Sequence, residues 1–84
     1  MQVIRVEETP NPNAKKFVVD RVTEQTMSFF NADAAKGYEI AEKLFAIDGV
    51  SSLLFLADFI TVNKSSAAKW ADIQKGVRQV LSQM

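Results

Sequence analysis

Val50-Ser51-Ser52-Leu53-Leu54-Phe55-Leu56-Ala57-Asp58-Phe59-Ile60-Thr61-Val62-Asn63 is the stretch on which the fold turns. Two runs rich in β-branched, aromatic and aliphatic residues flank Ala57-Asp58. So short a connection joins antiparallel neighbours, and the segment predicts a β-hairpin. Toward the C-terminus, Ser65 or Ser66 is a candidate N-cap for a closing helix. Its Trp70, Ile73, Val77, Val80, Leu81 and Met84 fall on one stripe at helical spacing. Gly76 lies inside that helix, at a cost of about 1 kcal/mol relative to alanine. Toward the N-terminus, Gly49 is placed to end a preceding helix in a left-handed cap. That helix is expected from Asn31 or Asp33 to the neighbourhood of Ile47. Ala34, Tyr38, Ile40, Ala41, Leu44, Phe45 and Ile47 form its apolar side, opposite Lys36, Glu39, Glu42 and Lys43.

Further upstream, Val3-Ile4-Arg5-Val6-Glu7 and Lys15-Lys16-Phe17-Val18-Val19 read as strands. Between them Thr9-Pro10-Asn11-Pro12-Asn13 makes a stiff loop, because each proline pushes its predecessor toward extended geometry and asparagine favours turns. Val22 to Phe30 is ambiguous, with Met27-Ser28-Phe29-Phe30 a candidate short edge strand. The order ββ(β)αββα predicts a single α+β domain over residues 1–84. Its two helices pack on one face of a mainly antiparallel sheet of about four or five strands, each apolar face needing cover. Apolar residues occur at both strand parities: Val3 with Ile4, Val18 with Val19, Leu53 with Leu54. The open sheet face is therefore covered either by loops and long side chains or by a partner, a second copy included, which makes the chain a monomer or a weak dimer.

Composition narrows the chemistry. Eighty-four residues, 48% hydrophobic and 24% charged, suit one globular domain and not a disordered chain. Ten basic and ten acidic residues leave no net charge, so neither nucleic acid nor an anionic membrane is an expected partner. The chain has no cysteine and no histidine, which removes thiolate cluster ligands, disulfides and the commonest general base. No basic-then-apolar leader pattern is present at the N-terminus and no apolar run reaches membrane-spanning length, so a cytoplasmic protein is expected.

Candidates for catalysis are thin. Glu7 and Glu8 are adjacent on a strand and point to opposite faces. Asp58 reads as a turn residue, and Ser51, Ser52, Ser65 and Ser66 have no histidine to activate them. No glycine-rich phosphate loop is present among three glycines. A non-catalytic protein is therefore expected. Glu7, Glu8 and Asp20 offer an alternative, a weak carboxylate iron site, against the plainer reading of a solvated acidic edge. Lys15, Lys16 and Arg21 form a basic cluster that an alternating strand splits between faces. Trp70 reads as a core-margin anchor or, alternatively, as a partner-binding anchor, and Phe29-Phe30 present the same choice.

Thr9-Pro10-Asn11-Pro12-Asn13-Ala14-Lys15-Lys16-Phe17 resembles the TPNPNxxKF signature that opens the N-terminal domain of Nfu/NifU-type iron–sulfur scaffold proteins. Phe29-Phe30 is similar to the aromatic position before that family's first helix. Ile40 to Val50 resembles its LAxxLFxIxGV segment, Asp58 to Lys64 its DFITVTK strand, and Trp70 falls at its tryptophan. These matches run in the family's order over nearly the whole chain. Gly37-Tyr38 departs from a frequent Ser-Pro and bears on the helix start, while Ala57 replaces a usual proline or glycine. The resemblance implies a role in iron–sulfur cluster assembly and a family-level link to iron binding. In the prototype a second domain carrying Cys-x-x-Cys holds the cluster, so this chain is expected to be a stand-alone relative or a piece of a longer protein. It is expected to have no cofactor of its own, iron or a cluster coming only through a partner, such as a Cys-x-x-Cys Nfu-type protein or another assembly factor. Thr9, Asn11, Asn13, Phe29, Asp58 and Trp70 form the candidate partner surface.

Overall fold

The computed structural model describes residues 2–20 and 26–83. The elements are β1 (Val3–Glu8), β2 (Ala14–Val19), β3 (Met27–Phe29), α1 (Glu39–Phe45), β4 (Val50–Leu56), β5 (Phe59–Lys64) and α2 (Trp70–Ser82), with a 3-10 turn at Asp33–Ala35. The five strands form one sheet in the order β1-β2-β5-β4-β3, every neighbouring pair antiparallel. The expected α+β architecture is therefore present, and the ambiguous stretch before the first helix supplies the edge strand β3. Of that stretch, residues 22–25 lie outside the described residues.

Register sorts the side chains. Phe17 pairs with Ile60 and Ile60 with Phe55, while Leu53 pairs with Val62. All five belong to the core, together with Val19, Phe29, Ala41, Leu44, Ile73, Val77 and Leu81. The apolar pairs at both parities have two explanations. Irregularities in the ladder fall between Val3 and Arg5 and between Val50 and Ser52. An extra residue there returns the chain to the core-facing parity, so Val3 and Val6 both pack inward while Ile4 is 61% exposed. On the open face, Leu54, Leu56 and Phe59 are half-buried. Leu56 pairs with Phe59, and the Lys16 ammonium stands 4.2 Å from the Phe59 ring centroid.

Both helices start later than expected. The Asn31 Oδ1 accepts the Ala34 N–H at 2.9 Å, but the element that follows is only a 3-10 turn with Ala32 at its N-cap, and α1 has no side-chain cap. Lys36 then turns extended, Gly37 adopts φ +91°, and Tyr38 is an extended N-cap. The helix begins at Glu39 because a left-handed residue cannot lie within a right-handed one. Gly37-Tyr38, the departure from the family pattern, sits at that break. Ala34 is accordingly exposed and Ala35 buried. Neither Ser65 nor Ser66 caps α2; Ser65 instead closes a turn through its carbonyl to the Ala68 N–H at 3.1 Å, and extended Lys69 precedes Trp70. The expected stripe holds, with Ile73, Val77 and Leu81 fully buried and Trp70 and Val80 packed at its margin. Met84 lies outside the described residues.

Gly49 is left-handed as expected, at φ +97°, though it closes the α1–β4 turn a little beyond the end of the helix at Phe45. A Cβ there would stand 2.5 Å from the Ala68 Cβ, so two constraints meet at one residue. Gly37 has the same backbone hand with open space around its absent side chain. Gly49→Ala should therefore cost about 2–4 kcal/mol of unfolding free energy and Gly37→Ala about 1 kcal/mol. Urea unfolding measures both, and equal costs would show that the approach of Gly49 to Ala68 is not maintained.

Candidate functional site

The β1–β2 connection is locked by its own polar groups. The Thr9 hydroxyl lies 2.9 Å from the Asn11 carbonyl and 3.0 Å from that of Ala14, and it accepts the Asn11 N–H at 3.2 Å. Asn11 Oδ1 accepts the Asn13 N–H at 2.9 Å, and the Ala14 N–H donates to the Asn11 carbonyl at 3.0 Å. With prolines at positions 10 and 12 fixing φ, little freedom remains.

Two further contacts tie this loop to the second half of the chain. Asn13 receives both the backbone N–H of Lys64, at 2.8 Å on its carbonyl, and the Lys64 Nζ, at 3.0 Å on its Oδ1. The Trp70 indole N–H donates to the Pro12 carbonyl at 2.9 Å. Around the indole stand two ammonium groups, Lys15 at 5.3 Å and Lys64 at 5.9 Å from a ring centroid. Between loop and indole lies a cleft of about 250 Å³, lined by Glu8, Thr9, Pro10, Lys15 and Trp70 among others.

Of the six candidate surface residues, four thus come together: Thr9, Asn11, Asn13 and Trp70. Asp58 does not join them. It is exposed at the opposite end of β2, where its carbonyl accepts the Val19 N–H at 2.8 Å. The six residues of β2 separate the two places by roughly 17 Å. Phe29 is 3% exposed, edge-on to Tyr38 and Phe55 with centroids 5.3 and 5.2 Å away, so it is a core residue and not a surface one. Its neighbour Phe30 takes the outward place, 81% exposed. Lys15 and Lys64 were the residues missed. Strand parity carried the signal, since Lys15 shares a face with core residues Phe17 and Val19 and so lies on the helix side.

The carboxylates proposed for iron do not converge. Glu7 pairs with Arg5 and, at 3.7 Å, with Lys16, whereas Glu8 faces Lys15 at 4.0 Å from the other side of the sheet. Asp20 lies beyond the far end of β2, where its Oδ1 accepts the Gln2 N–H at 3.2 Å. Among the described residues no group of three histidine, cysteine, aspartate or glutamate side chains is placed to hold a metal ion. The basic cluster divides likewise, Lys15 to the helix side and Lys16 to the open side, and Arg21 lies outside the described residues. Ser51 donates to the Asn63 carbonyl at 3.0 Å, a structural use of a hydroxyl once weighed for catalysis. Among the described residues no helix is long and apolar enough to cross a membrane.

Two outcomes follow from these contacts. Trp70→Phe keeps an aromatic ring but strands the Pro12 carbonyl, and should cost about 1 kcal/mol. Amide exchange should rise at Asn13 and Ala14 while Val62 keeps its protection; an unchanged loop would show that the indole bond does not hold it. The hydrogen bond from Arg5, followed by its charge and that of Lys16, holds the Glu7 carboxyl below the usual glutamate value. Its contribution to stability is present above the unfolded-state value and disappears as pH falls through the lower folded one. In an NMR titration, Arg5→Gln should move the Glu7 midpoint upward, and an unmoved midpoint would assign the shift elsewhere.

The sequence matches the family model described as "Scaffold protein Nfu/NifU N terminal" over residues 4–84. It is 40% identical over 82 residues to the NifU-like protein C1709.19c of Schizosaccharomyces pombe, covering 93% of this chain and 32% of that protein. The mitochondrial NFU1 iron-sulfur cluster scaffold homolog of Drosophila erecta is 36% identical over 81 residues, covering 93% of this chain and 29% of that one. The chain thus spans about a third of the length of these curated relatives. Among solved structures, the crystal structure of protein SAV1430 from Staphylococcus aureus superimposes with a TM-score of 0.83 at 28% identity, covering 96% of this chain and 99% of that one. The ordered motifs, the ββ(β)αββα fold and these matches agree: the chain belongs to the Nfu/NifU scaffold N-terminal family.

Proposed function

We propose that this domain is a non-catalytic protein-binding module of iron–sulfur cluster assembly, acting on an assembly factor and not ligating a cluster itself. The observation that carries the reading is the locked loop 9–13, fixed to Trp70 through the Pro12 carbonyl and presenting a shaped, accessible cleft. A rigid patch of this kind loses little entropy on binding. The chain has no cysteine or histidine, whereas clusters are held by soft thiolates and less often by imidazole. Glu7 and Glu8 pair with Arg5, Lys16 and Lys15 on opposite faces of the first hairpin, and Asp20 lies at its other end. The cluster-assembly context is supported by family membership and by the NFU1 relative, whose name says that it is an iron-sulfur cluster scaffold homolog.

The partner this reading requires is a protein that does carry thiolates, a Cys-x-x-Cys Nfu-type protein or another assembly factor, met by a monomer or weak dimer. The cytoplasm is the compartment proposed; the Drosophila relative is named as mitochondrial, and cell fractionation separates the two. Anaerobic affinity capture with mass spectrometry tests the role. Recovery of a cluster-assembly protein, lost on Pro10→Glu at the exposed rim of the cleft, is the expected result. Capture of unrelated proteins alone would mean that the fold serves another purpose. Anaerobic calorimetry with ferrous ion should show no saturable heat for the isolated chain, and a saturable isotherm would return iron binding to its carboxylates.

A further inference from the structure

Around the Trp70 indole two lysines stand against a single weakly held carboxylate, Glu8, although the chain as a whole is neutral. Three other lysines meet carboxylates: Lys43 with Glu39 at 3.3 Å, Lys36 with Asp33 at 3.6 Å, Lys16 with Glu7 at 3.7 Å. The pattern changes beside Trp70. Lys64 Nζ is held by the Asn13 Oδ1 at 3.0 Å and the Ser65 carbonyl at 3.2 Å, both uncharged. Among the described residues no carboxylate forms an ion pair with it. Lys15 has Glu8 at 4.0 Å, the outer limit of such a contact, and the Glu8 side chain is 87% exposed. Lys15 itself is held down, its side chain only 18% exposed. Two oriented cations therefore flank one indole, next to a cleft whose other wall is the proline loop.

We infer that this cleft binds an acidic segment of a partner protein. One carboxylate of that segment sits at Lys15 and Lys64, and a neighbouring apolar side chain lies against Trp70 and Pro10. The inference rests on the reading of the domain as a protein-binding module and gives its partner a chemistry. A carboxylate would give the Lys64 ammonium a charged acceptor, where the fold offers it only neutral oxygens. It would also displace Glu8 from Lys15 at little cost, since an exposed pair at that distance is weakly held. Both lysines are already ordered by the fold, so less side-chain entropy is lost on binding than at a free surface lysine. Charge complementarity favours protein over nucleic acid here. Affinity for a polynucleotide accumulates over many phosphate contacts, and two lysines around one indole suit one or two carboxylates.

Trp70 is the sole tryptophan, so its fluorescence reports occupancy directly. The whole chain is titrated with acetyl-EELEEL-amide, with the matching QQLQQL peptide, and with a short oligothymidylate. The acidic peptide is expected to give a saturable change that weakens about tenfold between low and high salt. Lys15→Gln and Lys64→Gln should each weaken it about threefold or more, Lys64→Arg should retain it, and Lys43→Gln on α1 should leave it unchanged. If Lys64→Gln does not fold, Lys15→Gln and Lys64→Arg carry the comparison. Equal binding of the glutamine peptide, equal binding of the oligothymidylate, no saturable change, or wild-type affinity in the folded glutamine variants would each overturn the inference. Its failure is distinguishable from failure of the functional reading. A cluster-assembly protein captured with wild-type strength by Lys15→Gln would sink the acidic segment alone, and acidic-peptide binding without such a capture would sink the context alone.

Discussion

Phe17 and Ile60 face each other across the middle ladder of the sheet, both with no exposed surface. That ladder, β2 against β5, joins the hairpin made by the first third of the chain to the hairpin made by the second half. A two-stranded hairpin alone is marginal in water, and so is a helix as short as α1. Each half therefore depends on the other. The contact is long-range in sequence and hydrophobic in origin, because the register that aligns Phe17 with Ile60 is the one that puts both beneath α2. A slip by one residue would turn Ile60 and Val62 to the open face and bring Phe59 and Thr61 under the helices.

The cleft beside Trp70 is the continuation of the same ladder. Beyond Ala14 paired with Asn63, the next contact is the Lys64 N–H on the Asn13 carbonyl, and the side chains of those residues then bond again. Trp70 adds a third tie from the first turn of α2. The loop is thus positioned by β2, β5 and α2 together, and its proline and asparagine geometry is only the local part of its rigidity. Because the cleft lies at the end of the ladder that holds the two halves together, it has its shape only in the folded domain.

Much of this was legible because the determining signals are local. The Ala57-Asp58 connection forces an antiparallel hairpin, the stripe Ile73-Val77-Leu81 fixes the buried side of α2, and the left-handed Gly49 marks a turn. What escaped depended on contacts distant in sequence or on competition between local signals. Ala34 and Tyr38 fit the period of a longer α1, but Gly37 prefers a left-handed turn and the helix yields to it. Phe29 and Phe30 are chemically alike, and only pairing with Leu53 on β4 decides that Phe29 turns inward. Gly76 looked like a pure loss for α2; a Cβ there would stand 3.2 Å from three atoms of the Ile47 side chain, so its absence lets the helix pack against that turn. Of the candidate surface, the loop residues and Trp70 are joined by bonds spanning most of the chain, and Asp58 shares only their place in the motif. Lys15 and Lys64 carry a charge that sequence alone assigns to solvent, until register puts both beside the indole.

A chain without thiol or imidazole has few ways to act on a metal, but it has what recognition requires. The cleft, at about 250 Å³, accommodates one or two side chains of a partner. A stable complex buries about 800 Å² on each side, far more than such a cleft alone supplies. The proposed contact would accordingly be short-lived unless a second surface joined it, with selectivity coming from the fixed positions of Lys15, Lys64 and the indole. Electrostatic complementarity of this kind acts chiefly on encounter rate and specificity. Such a contact would suit the transient protein-binding role proposed above.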